Sequence, residues 1–141
     1  MLKNELDMSF NYAPIYYCEI KTGIGEKATD YQKNLLNLAI KGEECLGDIN
    51  QRLYGKTAGF TDKIVWDTDI LQTITANGKI FRGEDKTKIS NQDIINATTF
   101  PQDFNFMNEK TRYICGMSVP PIMIKRIVTK LIEGGIFNAT K

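Results

Sequence analysis

The chain has 141 residues, of which 42% are hydrophobic and 25% are charged, and its 18 Lys and Arg against 17 Asp and Glu leave a net charge of +1. This size and composition predict one soluble globular domain and exclude a disordered chain, and no apolar run approaches the roughly 20 residues needed to span a bilayer. The absence of histidine excludes the commonest general base and zinc ligand, and three cysteines that are far apart argue against a disulfide framework.

The charge distribution and the opening residues predict location and partners. Residues 1–60 carry seven Lys and Arg against eight Asp and Glu, whereas residues 61–141 carry eleven against nine. This basic bias is weaker than that of most free-standing DNA-binding proteins, so any contact with DNA is expected to need help from a partner. The first seven residues have no apolar signal core, which predicts a cytoplasmic protein that does not contact a membrane.

The first part of the chain is predicted to hold one short strand and two helices. Up to Asp30, aromatic residues alternate with proline and glycine, which indicates loops around a strand over Ile15–Ile20. A helix is predicted to begin at an N-cap at Asp30. A second short helix is predicted over Asp48–Tyr54, ending before Gly55. The apolar face of the first helix is expected to consist of Tyr31, Leu35 and Leu38.

The middle of the chain is predicted to form strands. Lys63–Trp66 and Ile70–Thr75 are rich in β-branched and aromatic residues, which favour strands. Asn77-Gly78 follows directly, and this dipeptide is typical of a tight turn with positive backbone φ. A β-hairpin is therefore predicted, with Lys79–Arg82 as its second strand.

The last third is predicted to be helical. Ser90 and Asp93 have the spacing of a capping box, and the helix that they open must end before Pro101. A final helix is predicted after Ser118, with two prolines in its first turn and an end at Gly134. Its apolar stripe has the spacing of one helical face and consists of Ile124, Ile127, Val128 and Leu131.

These elements predict an α+β fold without a Rossmann-like domain. A small β-containing part with a hairpin is expected over residues 1–87. A C-terminal helical part is expected over residues 88–141, and the two parts are expected to form one compact unit. No glycine-rich turn opens a βαβ unit anywhere in the chain.

Several segments together resemble one enzyme family. Tyr113–Pro121 reads Tyr-Ile-Cys-Gly-Met-Ser-Val-Pro-Pro before the final helix, and Lys88–Asp93 precedes Phe100–Phe104, which reads Phe-Pro-Gln-Asp-Phe. Thr73–Ala76 and Asp48–Phe60 come earlier in the chain. In order and spacing, these segments resemble the target recognition domain and the last two motifs of phage-type DNA cytosine-5 methyltransferases, over residues from about 5 to 133.

The resemblance implies an incomplete enzyme. In the family, a Pro-Cys thiolate attacks the base, a Glu-Asn-Val acid assists, and a glycine-rich turn binds S-adenosylmethionine. This chain has none of these motifs, since Cys18, Cys45 and Cys115 follow Tyr, Glu and Ile. Alone, it is not expected to methylate DNA. The resemblance implies that a turn formed by Met117, Ser118 and Val119 closes one side of the cofactor pocket. The family usually has Asn at the position of Met117. The alternative is that Ser118 is merely a helix N-cap.

The resemblance also implies which residues contact double-stranded DNA. The strand and turn over Thr73, Ile74, Thr75, Asn77 and Gly78 would face the major groove, where hydroxyl, amide and backbone groups reach base edges. The alternative is an ordinary hairpin within a core sheet. The candidate phosphate contacts are Arg52, Lys56, Lys63, Lys79 and Arg82. For any single one of them, a solvated surface charge is the more common role of such a residue.

Three functional readings remain open from the sequence. The leading one is the DNA recognition part of a cytosine-5 methyltransferase, as a subunit of a split enzyme, a truncated prophage gene product or a piece of a longer enzyme. A catalytic methyltransferase chain would then be its partner, and the apolar stripe of the final helix would pack on that chain or on a second copy of itself. The second is a stand-alone DNA-binding or regulatory module of restriction-modification origin. The third is a stable fragment without its own function.

Overall fold

The computed structural model of the chain describes residues 8–135, and within this range the α+β prediction is confirmed. No Rossmann-like domain is formed by the described residues. The prediction on residues 1–7 and the last six residues of the predicted C-terminal part lie outside this range. The elements in chain order are α1 (Tyr17–Ile20), α2 (Asp30–Asn37), α3 (Leu46–Tyr54), β1 (Asp62–Val65), β2 (Lys79–Arg82), α4 (Asn91–Thr98), α5 (Thr111–Met117) and α6 (Pro121–Glu133).

The two strands pair in parallel, which makes the predicted hairpin wrong. Asp62 lies opposite Lys79 and Val65 lies opposite Arg82. Parallel strands cannot be joined by a two-residue turn and need a crossover connection. Residues 66–78, which we call the return segment, make this crossover, so Asn77-Gly78 ends the return segment instead of joining two antiparallel strands.

The predicted strand over Ile70–Thr75 is also wrong. Only Ile70 forms a β-bridge there, with Tyr16, and residues 71–75 have no regular structure. The hydroxyl oxygen of Thr75 accepts a hydrogen bond from the Gly78 backbone N–H at 3.0 Å, so a local turn replaces a strand ladder. The β propensity of these residues was a poor guide because it reflects packing on a pleated surface, which the return segment does not have.

The first predicted strand is replaced by a single helical turn. Tyr17–Ile20 is helical, and Tyr16 contributes only the bridge to Ile70. Glu19 accepts a hydrogen bond from the Tyr16 backbone N–H at 2.7 Å, which closes the turn from its N-terminal side. The Tyr17 N–H donates to the carbonyl of Asp69 at 2.7 Å, so a hydrogen bond connects this helical turn to the return segment.

The helices α2 and α3 are confirmed with shifted N-termini. Thr29, not Asp30, is the N-cap of α2, and its side chain accepts from the Gln32 N–H. The helix α3 begins two residues before the predicted Asp48 and ends, as predicted, at Gly55, which has φ of 66°. The apolar face predicted for α2 is wrong in part. Leu35 is buried, but Tyr31 and Leu38 are exposed, and Leu36 is buried in their place.

The predicted capping box of α4 is confirmed. The Ser90 hydroxyl accepts from the Asp93 N–H at 3.0 Å, and the Asp93 carboxylate accepts from the Ser90 N–H at 3.1 Å. The helix ends at Thr98, before Phe100-Pro101. Thr99 follows with φ of 57°, a left-handed conformation that is uncommon for a β-branched residue.

The C-terminal helices include one that the sequence did not predict. The helix α5 has no side-chain N-cap hydrogen bond and is only seven residues long, so it gave no local start signal. The helix α6 begins with Pro121 in its first turn and ends before Gly134, as predicted. None of its residues is buried, and its apolar side chains Ile124 and Val128 are exposed. Within residues 8–135, no helix has both the length and the apolarity to cross a membrane.

Two hydrophobic clusters form the core on opposite faces of the two-stranded sheet. The first joins α2 and α3 to β1 and β2 and contains Ala28, Leu35, Leu36, Leu46, Ile49, Ile64, Trp66 and Phe81. Trp66 is thus part of the core. The second cluster connects α1, the strands, α4 and α5 and contains Tyr17, Val65, Ile80, Ile89, Ile94 and Cys115. It packs across the boundary predicted between residues 87 and 88.

A buried ion pair crosses the same boundary and overturns one predicted DNA contact. Arg82 is 0% exposed, and its Nη2 lies 2.7 Å from Asp93 Oδ2, while its Nε donates to the Tyr17 hydroxyl at 2.8 Å. Its remaining N–H groups donate to the carbonyls of Thr22 and Gly23 and to Asp85. A guanidinium enclosed in this way cannot reach a phosphate, so the prediction for Arg82 is wrong.

The environment of Asp93 keeps its carboxylate ionised. Burial alone would raise the pKa of Asp93, but hydrogen bonds from Arg82 and from both the N–H and the hydroxyl of Thr22 outweigh burial and lower the pKa to about 2. Burial and the hydrogen bond to Asp93 raise the pKa of Tyr17 far above its ordinary range, so this phenol stays protonated. The network is therefore a fixed structural pair with fully satisfied partners.

Candidate functional site

A groove of about 470 Å³ lies beside the first residues of β2, where the return segment comes back to the sheet. We call it the β2 groove. It brings together six of the ten residues predicted to contact DNA, namely Lys63, Thr73, Thr75, Asn77, Gly78 and Lys79. Its opposite wall comes from the α3–β1 loop and from β1, and its remaining lining residues are Phe60, Thr61 and Ile80.

A hydrogen bond from a residue of α5 holds the backbone of the return segment in place at the groove. Arg112 donates a hydrogen bond from Nη1 to the Gly78 carbonyl at 2.7 Å. Burial lowers the pKa of Arg112, but a guanidinium remains charged in either case. Because α5 was not predicted, nothing in the sequence pointed to Arg112 as a residue that supports this site.

The electrostatics of the β2 groove favour an anion. Two lysines, Lys63 and Lys79, are among its lining residues, and no carboxylate is among those that the described part of the chain contributes. Burial raises the pKa of Asp48, whereas hydrogen bonds from backbone N–H groups lower it. The charge of nearby Lys63 lowers this pKa by a further, smaller amount. The cationic field of the groove is therefore modest, in line with the small net charge of the chain.

The other predicted DNA contacts lie elsewhere. The guanidinium of Arg52 lies on the surface, where it donates hydrogen bonds to the carboxylate of Glu43 at 2.8 Å and to the carbonyl of Leu38 at 2.6 Å. Lys56 is exposed just after α3 and does not line the groove. Ile74 faces away from the groove and packs against the second core cluster.

The predicted cofactor contacts lie at the junction of α5 and α6. Met117 is 69% exposed and Val119 is 53% exposed. Ser118 is the C-cap of α5, and its hydroxyl donates back to the Ile114 carbonyl, so it is not the N-cap of α6. The N-cap of α6 is Pro120. The alternative that Ser118 is the N-cap of the final helix is therefore wrong.

Some of the backbone N–H groups at the start of α6 are already hydrogen-bonded within the chain. The N–H of Ile122 donates to the hydroxyl of Thr99 at 3.1 Å, and the N–H of Met123 donates to the Pro120 carbonyl at 2.9 Å. The helix start therefore offers fewer unpaired N–H groups to an anion than a bare terminus would. Of the three predicted cofactor contacts, only Ser118 lines the adjacent cleft of about 680 Å³, next to Thr99 and Pro120.

Gly116 joins the two predicted sites. A Cβ atom at this position would lie 2.6 Å from the Ala76 nitrogen and 2.6 Å from the Thr75 carbonyl carbon. The backbone of α5 therefore touches the backbone of the return segment directly. Through this contact, the segment Gly-Met-Ser-Val-Pro-Pro and the segment Thr-Ile-Thr-Ala pack on one another, which their separation in the sequence does not reveal.

The three cysteines differ in their exposure. Cys45 and Cys115 are buried and Cys18 is exposed. Burial raises the pKa of the Cys45 thiol, which keeps it protonated and a poor nucleophile. Among residues 8–135, no group of three or more cysteines and carboxylates could hold a metal ion.

Comparisons of the chain with protein-family models, with curated proteins and with solved structures found no match. The assignment to a family therefore stays a prediction that rests on the sequence motifs.

Proposed function

We propose that the chain is the DNA recognition part of a DNA cytosine-5 methyltransferase, and that it works with a separate catalytic chain. The observation that carries the proposal is the β2 groove. Its lining includes Thr73, Thr75, Asn77, Lys79 and a second lysine, Lys63, whose side chains carry hydroxyl, amide and ammonium groups. These are groups that contact base edges and phosphates in protein–DNA complexes.

A separate catalytic chain is part of the proposal because this sequence lacks the Pro-Cys and glycine-rich motifs of the family. Among the described thiols, Cys45 and Cys115 are buried, and burial raises the pKa of Cys45, so its thiol stays protonated. The exposed residues Met117 and Val119, with Ser118 between them, fit a surface that borders a cofactor held on another chain. S-adenosylmethionine would supply the methyl group there, and this chain would hold the DNA in position.

A methyl-transfer assay tests this proposal. Labelled S-adenosylmethionine and double-stranded DNA are incubated with this chain, with a catalytic chain that carries the glycine-rich turn and the Pro-Cys motif, and with both. We expect label in DNA only with both chains. Methylation by this chain alone would contradict the chemistry proposed here, and methylation by the partner at the same rate and sites without it would remove its role.

Glutamine substitution of the two groove lysines should weaken binding of duplex DNA. Each lysine that contacts a phosphate releases about one counterion, so the double variant K63Q/K79Q should bind roughly tenfold more weakly at 0.1 M salt, with a salt slope smaller by about 2. Fluorescence anisotropy over a range of salt concentrations measures both quantities.

A matched control uses two exposed lysines outside the groove. The variant K33Q/K41Q has the same net charge as K63Q/K79Q, but neither residue lines the groove. If it loses as much affinity as the groove variant, binding depends on total charge and the groove has no special part in it.

A stand-alone DNA-binding or regulatory module is the second candidate. The same groove supports it, since DNA contacts there do not require catalysis. It predicts sequence-selective binding by this chain without any partner and no stimulation of a catalytic chain. The modest positive field of the groove favours the first proposal, because a module that works alone needs stronger attraction to phosphate.

A further inference from the structure

The loop between α3 and β1 is rigid at the point where it meets the β2 groove. The Asn50 side-chain amide donates to the carbonyl of Ala58, and the Asp62 N–H donates to the Gly59 carbonyl at 3.0 Å. Gly59 has φ of 91°, which few residues other than glycine adopt. Hydrogen bonds thus hold the loop at two consecutive residues, Ala58 and Gly59, before the strand begins.

The backbone of Phe60 rests directly on α3. A Cβ atom at Gly47 would lie only 3.0 Å from both the nitrogen and the Cα atom of Phe60, so the lack of a side chain at Gly47 permits this contact. Phe60 as a whole is 65% exposed. The fold therefore fixes the backbone of this residue and leaves its side chain outside the core.

An exposed phenylalanine at this place contributes little to folding. Burying such a ring would stabilise the chain considerably, but neither core cluster includes it. Single exposed apolar residues are common on protein surfaces and need no explanation by themselves. Phe60 differs from them because its ring lines a groove that also contains Lys63, Lys79 and Asn77.

An aromatic ring next to cationic side chains is the arrangement that proteins use to bind unstacked bases. The ring provides a flat surface for a base, and ammonium groups contact the phosphates on either side. A base in an intact duplex is already stacked on both faces, so it cannot use this surface. The groove is therefore suited to a base that has left the stack.

We propose that Phe60 stacks on an unpaired base of the DNA bound in the β2 groove, with Lys63 and Lys79 on the adjacent phosphates. This inference rests on the proposed function, because it requires that the groove binds DNA. It adds the class of DNA that the site prefers, namely a duplex with a locally unstacked nucleotide, and the residue that detects it.

The experiment compares two duplexes that differ by one unpaired 2-aminopurine nucleotide in the centre. Their affinities are measured for the full chain, for Phe60→Leu and for Phe60→Tyr. Stacking of one base on an aromatic side chain corresponds to roughly 5-fold to 100-fold in affinity. The unaltered chain and F60Y should prefer the bulged duplex by a factor in this range and quench the 2-aminopurine fluorescence, whereas F60L should do neither.

The outcomes separate this inference from the function on which it rests. If K63Q/K79Q binds as well as the unaltered chain, the groove does not bind DNA and both proposals fail. If neither duplex binds, the stacking inference fails, whereas the proposed function, in which a partner assists DNA binding, is decided by the methyl-transfer assay. If binding depends on the two lysines but F60L keeps the preference and the quenching, only the stacking role is overturned. The side chain of Phe60 is largely exposed, so F60L should fold normally, and its circular dichroism spectrum should match that of the unaltered chain.

Discussion

The substitution Asp93→Asn should lower the free energy of unfolding by about 3–5 kcal/mol. It removes the buried partner of the ion pair and leaves the buried guanidinium of Arg82 with only the partly exposed Asp85 as a counter-ion. The same carboxylate also accepts hydrogen bonds from the backbone of Ser90 and from the side chain of Thr22. A domain of this size is stable by only about 5–15 kcal/mol, so urea denaturation should show a large shift of the midpoint.

Asp85→Asn is the matched control for this substitution. Asp85 also pairs with Arg82, at 3.1 Å, but its side chain is more than a third exposed. Water can replace this contact, so we expect a loss of less than about 1 kcal/mol. Equal losses for D93N and D85N would contradict the central place given to the Arg82–Asp93 pair.

Acid denaturation gives a second measurement of the same pair. The pKa of Asp93 in the folded chain is about 2, below its ordinary value of 3.8. A depressed pKa of this kind stabilises the fold at pH values above about 4, and this contribution is lost as the pH falls toward 2. The stability of the unaltered chain should therefore fall across this interval, and D93N should lack this part of the pH dependence.

The substitution Gly116→Ala should disturb both the fold and the DNA site. The added methyl group would lie 2.6 Å from backbone atoms of Thr75 and Ala76, which cannot move aside as a flexible side chain can. Such overpacking typically costs about 1–3 kcal/mol. Because the return segment must shift, we also expect weaker DNA binding, measured by anisotropy at a temperature where the variant remains folded.

Gly23→Ala is the control for Gly116→Ala. An added Cβ at Gly23 meets no atom within 4 Å, and its backbone φ is not positive. Stability and DNA binding should both be unchanged within error. If G116A is as stable as G23A, the two backbones can separate without cost. The proposed coupling of the α5–α6 junction to the groove would then be wrong.

The parts of the fold that were predictable from the sequence are those that local chemistry determines. The capping box of Ser90 and Asp93, the glycine after α3 and the proline in the first turn of α6 each act within a few residues. The hairpin prediction failed because Asn77-Gly78 is compatible with several turns, and only packing against α5 decides among them. The helix α5 was missed because it has no cap, and the buried role of Arg82 depends on Asp93 and Tyr17, which are distant in sequence.

The candidate site was predictable only in part, and for a partly wrong reason. Five of the residues from Thr73 to Lys79, namely Thr73, Thr75, Asn77, Gly78 and Lys79, do line one groove, but they do so as an irregular return segment and not as a hairpin. Phe60 and Arg112 were not singled out, since their importance comes from contacts with Gly47 and Gly78 across the fold. Nothing in the sequence indicated that Arg52 would form an ion pair with Glu43.

The most direct test of the claim that the β2 groove binds DNA is a titration of the isotope-labelled chain with a short DNA duplex, followed by two-dimensional amide NMR spectra. We expect the largest shifts at the amides of Phe60–Lys63 and Thr73–Lys79, with smaller changes in α2. Shifts that are absent at saturating DNA, or that concentrate around Arg52 or along α6, would contradict it.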